Sequence, residues 1–296
     1  LKNFILQKIP CLGIEPTKST ADASKKYGIP VRQVFFSAEI GQKMAKNAEQ
    51  ADLIIGNNVY AHVPDINSFT DGIANLLKDD GVVTLEFPHL MQLIEKNQFD
   101  TVYHEHFSYL SLYTVNSIFK KFNLKIFDVE RISTHGGSLR IYGCKKNAKR
   151  EIKQTVKNIL LLENEAGLQN IDTYKSFQES ANKVKADFIK FLLDAKLSGK
   201  SVAGYGAAAK GNTLLNYAGI RKDLIPFICD AADSKVGKFM PASHIPILHP
   251  SILPKQRPDY LIIFPWNISA EVIKQNKNLA ILGTKFVIAV PKLKII

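Results

Sequence analysis

A chain of 296 residues with 46% hydrophobic and 22% charged side chains has the length for two domains with separate cores and an ordinary globular composition. No apolar run approaches the roughly 18 residues of a membrane-spanning helix, and no signal-peptide pattern opens the sequence, so no membrane partner is expected. The net charge of +12 raises nucleic acid as a partner, but the lysines are spread along the chain and thickest over 145–200, without an arginine-rich tail; solvated helix faces and attraction for a small anion are expected, and no nucleic acid.

The segment "LKNFILQKI" predicts an amphipathic helix, "PCLGIEP" a short strand ending in Glu15, and "TADASKKYG" and "EIGQKMAKNAEQ" two helices. "ADLIIGNN" reads as a buried strand, "INSFTDGIANLLKDDG" as a helix closed by Gly81, and "GVVTLEFP" as the next strand. This alternation implies a parallel sheet covered on both faces. Then come a helix and strand in "SLYTVNSIFKKFNLKIFDVERI" and a second strand in "GSLRIYGCKK", an antiparallel pair able to close the sheet. Residues 146–199 are polar and helically periodic and predict two bridging helices. From Ser201 the strand–helix alternation restarts, so the expected domains are 1–145, 146–199 and a smaller α/β domain at 200–296. Cys11, Cys144 and Cys229 are odd in number and far apart; they suit a reducing cytoplasm rather than a disulfide framework or a cysteine-rich zinc site.

Five segments hold residues able to do chemistry. Glu15, ending a strand, suits a ribose diol, or is a surface glutamate before Pro16. Asn57 and Asn58 follow a buried strand and can line a cofactor cleft or make an Asx turn, with His62 just beyond. In "TVYHEHFSYLS", an extended backbone would put His104 and His106 on one face and Tyr103, Glu105 and Phe107 on the other. An H-x-H pair without a third ligand argues against metal; an imidazole beside an acid and a phenol suits proton transfer, and a hydrogen-bonded core histidine is the rival reading. "STHGGSLRIYG" contributes His135, the Gly136–Gly137 pair and Arg140, which reads as facing an anion or a carboxylate. "GYGAAAKG" has a strand before it and a helix after it. Its spacing is not that of a dinucleotide loop, but Gly206 and Lys210 could hold a diphosphate, with Asp230 ending the next strand beside a ribose; close helix packing explains the small residues equally well.

In this order, "LGIEP", "ADLIIGNNVYAHVPDI", "EFPHLMQLIEKNQFDTVYHEHFSYLSL", "THGGSLRIY" and "GYGAAAKGNTLLNY" resemble the S-adenosylmethionine-dependent sugar C-methyltransferases, the family of the tetronitrose C-3'-methyltransferase. The resemblance implies a Rossmann-like class I methyltransferase sheet followed by a smaller Rossmann-like domain. It implies C-3 methylation of a nucleotide-linked 4-keto-deoxysugar through a base-generated enolate. His106 would be the base, supported by Tyr103, Glu105 and His62; Glu15, Asn57 and Asn58 would hold S-adenosylmethionine; His135, Gly136, Arg140, Gly206 and Lys210 would meet the substrate. The aromatic rings would exclude water from the reacting groups.

Family members begin with a cysteine-ligated zinc domain and a first strand with a glycine-rich loop, neither present here. The resemblance therefore implies a chain truncated at its N-terminus, with zinc expected only in the missing segment and an apolar sheet edge left uncovered. Two further readings are an inert sugar-nucleotide-binding protein and an NAD-dependent oxidoreductase built on "GYGAAAKG".

Overall fold

The computed structural model describes residues 1–296. Two compact units interleave along the chain. One comprises Leu1–Leu85, Thr114–Val129 and Ile141–Val156; the other comprises Glu86–Tyr113, Glu130–Arg140 and Lys157–Ile296.

The chain opens with α1 (Lys2–Leu6), β1 (Gly13–Ile14), α2 (Lys18–Lys25), β2 (Val31–Arg32), α3 (Ala38–Lys46), β3 (Ala51–Asn57) and α4 (Ile66–Leu76). It continues with β4 (Leu77–Pro88), α5 (Leu90–Glu95), α6 (Leu112–Lys121), β5 (Leu124–Ile132) and β6 (Ser138–Lys145). The alternation is as expected, but it builds two sheets. β1 and β2 pair alone, parallel, with Gly13 opposite Val31; the other sheet has the order β3-β4-β6-β5. β2 was not anticipated, because two residues are too short for periodicity to register. On edge strand β3, Leu53 and Ile55 are each 43% exposed.

The helix expected to reach Gly81 stops at Leu76, and the charged run after it is strand. Lys78 pairs with Asp52 at 2.8 Å and Asp79 with Lys145 at 2.9 Å, so "KDD" forms ion pairs to the neighbouring strands rather than a helix end. Gly81 lies inside β4, where a Cβ would come within 2.9 Å of the Ala51 carbonyl oxygen; close strand approach, not helix termination, selects glycine there.

Helices α7 (Gln154–Glu165) and α8 (Asp172–Leu197) fill the polar stretch. The last part runs β7 (Val202–Tyr205), α9 (Ala209–Ala218), β8 (Ile228–Cys229), β9 (Ile247–Leu248), α10 (Leu253–Gln256), β10 (Tyr260–Ile263), α11 (Ser269–Gln275), α12 (Lys277–Ile281), β11 (Lys285–Ile288) and β12 (Lys294–Ile295). Its sheet has the order β12-β11-β10-β7-β8-β9, parallel throughout except for β12. Strand order reverses between β7 and β10. In open parallel sheets ligands favour the crevice beyond the carboxyl ends of such a pair. One face of this sheet packs Ile228, Ile262 and Val287 against Phe188 and Leu192 of α8 and Leu214 and Leu215 of α9.

One polar knot lies in the interior of the second unit. The fully buried Glu163 carboxylate accepts hydrogen bonds from the backbone N–H groups of Leu112 (2.6 Å) and Tyr113 (2.9 Å), and lies 2.8 Å from His89 Nε2. It therefore satisfies the first orphan donors of α6 from 50 residues away in sequence. Glu163→Ala is expected to lower folding stability by about 3–5 kcal/mol in chemical denaturation, because two buried amides and an imidazole lose their acceptor; Glu163→Gln, which keeps one oxygen, should lose less.

Candidate active site

The segment 101–111 is not extended. A short 3-10 turn, Phe99–Thr101, leads into irregular backbone, and the His106 N–H donates to the Tyr103 carbonyl at 3.1 Å. That turn overrides the strand periodicity. Tyr103 and His106, expected on opposite faces, lie on the same side with ring centroids 4.4 Å apart, and Tyr109 meets His106 edge-on at 5.9 Å. The water exclusion expected of the rings is incomplete, since Phe107 is 59% exposed.

The hydrogen bond of His106 decides its chemistry. Nδ1 lies 2.9 Å from the Thr101 carbonyl oxygen. A carbonyl only accepts, so Nδ1 carries the proton and the lone pair of the neutral ring resides on Nε2. Burial pushes the Tyr103 phenol above its ordinary range, reinforced by the negative charge of Glu105, so it remains a proton donor. Tyr109 is raised by burial as well.

Other expected residues of the second unit cluster around Trp266. Gly136 has φ +92°, and a Cβ there would come within 2.5 Å of the Trp266 ring; its carbonyl accepts from Lys96 Nζ (2.8 Å) and Gln98 Nε2 (3.0 Å). His135, exposed and at φ +55°, precedes it. Gly206, at φ +90°, lies where a Cβ would strike the Pro265 ring at 2.5 Å. Lys210 Nζ sits 4.2 Å from the Trp266 ring centroid and donates to Asn267 Oδ1 at 2.9 Å; burial lowers its pKa, partly offset by the charge of Asp100. Asp230 ties the glycine turn, accepting from the N–H groups of Ala207 (2.8 Å) and Ala232 (2.9 Å). Arg140 does face carboxylates, those of Glu86 (2.6 Å) and Glu130 (3.3 Å).

Four expected residues belong to the first unit. Glu15 follows β1 and accepts the Thr17 N–H at 2.8 Å through Oε1. Asn57 ends β3, Asn58 adopts φ +53°, and both are exposed. His62 closes the 3-10 turn Tyr60–His62.

Two residues were overlooked in the sequence. Asp100 is 1% exposed, and its Oδ2 accepts the Trp266 indole N–H at 2.7 Å. Burial raises its carboxyl to about 6. The only signals were an acid in an otherwise apolar turn and the single tryptophan of the chain, directly after a strand.

Residues 133–291 match the model of the C-methyltransferase C-terminal domain, and residues 7–129 match a methyltransferase domain. The C-methyltransferase NovU of Streptomyces niveus is 33% identical over 96% of this chain and 68% of its own length. This chain belongs to the C-methyltransferase family. Its members are S-adenosylmethionine-dependent enzymes with a Rossmann-like fold. Among solved structures, similarity extends to a SAM-dependent methyltransferase of Anabaena variabilis (14% identity, 48% of this chain and 71% of that one, TM-score 0.39). It extends also to a possible histamine N-methyltransferase of Thermotoga maritima (18% identity, 49% and 76% of the chains, TM-score 0.37).

The first unit has a donor set that fits the nucleoside part of this cofactor. Glu15 offers a carboxylate at the carboxyl end of a parallel strand, the exposed amides of Asn57 and Asn58 follow β3, and the exposed Leu53 and Ile55 supply apolar surface on the same strand.

The buried carboxyl of Asp100 has a stability signature. Folded, it keeps its proton to about pH 6, whereas its ordinary value is 3.8, so the native state binds more protons between these limits. Stability should fall as pH rises from 4 to 6 by about 2 kcal/mol more in the wild type than in Asp100→Asn, as urea titrations at several pH values would read.

Proposed function

We propose that this C-methyltransferase acts at C-3 of a nucleotide-linked 4-keto-deoxysugar, with His106 as the base. The observation that carries this reading is the Nδ1 contact of His106 with the Thr101 carbonyl at 2.9 Å, which puts the basic lone pair on Nε2. A carbonyl at C-4 acidifies the C-3 hydrogen. His106 Nε2 takes that proton and becomes imidazolium, and the C–H electron pair moves into the carbonyl to give an enolate. The Tyr103 hydroxyl donates to the enolate oxygen, and Glu105 supports the charged imidazole; His62, in the first unit, keeps the supporting role that the resemblance implies. S-adenosylmethionine, when bound, supplies a methyl group on a positively charged sulfur, an electrophile for the C-3 carbon.

Glu15, Asn57 and Asn58 are the residues we assign to the cofactor. On the substrate side, His135 and Lys210 are assigned to the diphosphate, consistent with the net charge of +12. Arg140, braced by Glu86 and Glu130, is assigned to the substrate side as well. Gly136 and Gly206, which admit Trp266 and Pro265, shape the neighbouring wall. The three cysteines are all free, which favours a cytoplasmic setting for the reaction.

His106→Asn should lower the rate of methyl transfer to a dTDP- or GDP-linked 4-keto-deoxysugar by about 10²–10⁴-fold. Calorimetric binding of S-adenosylhomocysteine should be unchanged. A variant that turns over at the wild-type rate would remove His106 from the role.

A further inference from the structure

The Phe99–Thr101 turn, which presents the acceptor for His106, is seated in the C-terminal sheet's own ligand crevice. Beyond the carboxyl ends of β7 and β10, where strand order reverses, lie the Gly206 turn, the N-terminus of α9 and the Phe264–Pro265–Trp266 segment. Asp100, Lys210, Gly211, Phe264 and Trp266 line a crevice there that is too narrow to admit a water molecule. Phe99 joins the core under the sheet and packs against the Tyr217 ring at 5.4 Å. Asp100 Oδ2 accepts the Trp266 N–H, while its buried Oδ1 has no hydrogen-bond partner.

An apolar side chain would fill this place at lower cost than a half-satisfied acid. What the acid adds is a fixed direction. Anchored at Trp266 on one side and by the Thr101 Oγ1 bond to the Gln98 carbonyl (2.8 Å) on the other, the turn holds its last carbonyl still. That carbonyl is the one His106 Nδ1 donates to.

We propose that Asp100 is a positioning residue: clamped by Trp266 at the β7–β10 crevice, it holds the Thr101 carbonyl so that His106 keeps its proton on Nδ1 and its lone pair on Nε2. The C-terminal sheet thus uses its switch-point crevice to hold the catalytic segment. The consequence for turnover rests on His106 being the base; the tautomer does not.

The test is long-range proton–nitrogen NMR of the full chain labelled with ¹⁵N-histidine, with the His106 signals identified by their loss in His106→Asn. The wild type should show a protonated Nδ1 and a pyridine-type Nε2. Trp266→Phe, which keeps most of the ring bulk and loses the N–H, should relax to a mixture of tautomers. Its kcat should drop about tenfold to a hundredfold with KM little changed. Asp100→Ala should behave alike, and Asp100→Asn, which still offers an acceptor, should restore both the tautomer and most of the rate. A wild-type spectrum with the proton on Nε2 overturns the proposal without any variant, and so does a folded Trp266→Phe with unchanged tautomer and kcat. If the tautomer shifts as expected while His106→Asn retains full activity, the clamp stands and the assignment of the base falls.

Discussion

The hydrogen bond from the Trp266 indole to the Asp100 carboxylate joins segments 166 residues apart and fixes the turn that leads into the proposed catalytic segment. A buried carboxylate is costly, and its pKa of about 6 registers that cost. Everything near it is arranged to keep it in place. Gly136 and Gly206 lack the Cβ atoms that would push Trp266 and Pro265 away, Lys210 lies on the indole face, and Phe99 is sunk in the core beneath. The last carbonyl of this turn, that of Thr101, sets the proton on His106.

The C-terminal sheet therefore has a different economy from a dinucleotide-binding domain of similar topology. In such domains the glycine turn after the first strand opens toward a diphosphate. Here Asp230 takes the Ala207 N–H, Lys235 Nζ donates to the Ala207 carbonyl at 2.9 Å, and Gly206 faces Pro265. Both backbone polar groups of Ala207 are thus taken by protein side chains. The glycines in "GYGAAAKG" answer to packing as much as to any ligand, which is why their spacing departs from the dinucleotide pattern. In the first unit, Asn57 and Asn58 are exposed after β3.

The alternation of helices and strands was legible from hydrophobic periodicity because most elements bury one face. It failed where other forces decided. The run "KDD" reads as a helix end, but its charges pair to neighbouring strands that only the tertiary fold brings near. In "TVYHEHFSYLS" the residue types raised proton chemistry, yet alternation put Tyr103 and His106 on opposite faces. A single backbone hydrogen bond between them reverses that. Asp100 and Trp266 were beyond local reading altogether, since each looks ordinary until its partner is known. The same holds for Glu163, an unremarked glutamate on a polar helix that stabilises the start of another helix.

In the proposed reaction, the pairing of His106 with Tyr103 would meet a general requirement for enolate chemistry at neutral pH. The base must be unprotonated where the oxyanion donor is still protonated, so their pKa values must be far apart. Imidazole titrates near neutrality by its nature. Tyr103 starts about three units higher, and burial with the nearby Glu105 charge raises it further. Ring contact at 4.4 Å keeps the two side chains together, as the proposed reaction at a C–H and its neighbouring carbonyl oxygen requires. A carboxylate in place of His106 would be a weaker base at its ordinary pKa, and a lysine would be protonated. As the proposed base, the histidine serves only with its lone pair on the nitrogen away from the backbone, so the proposed mechanism depends on the tautomer set at Thr101.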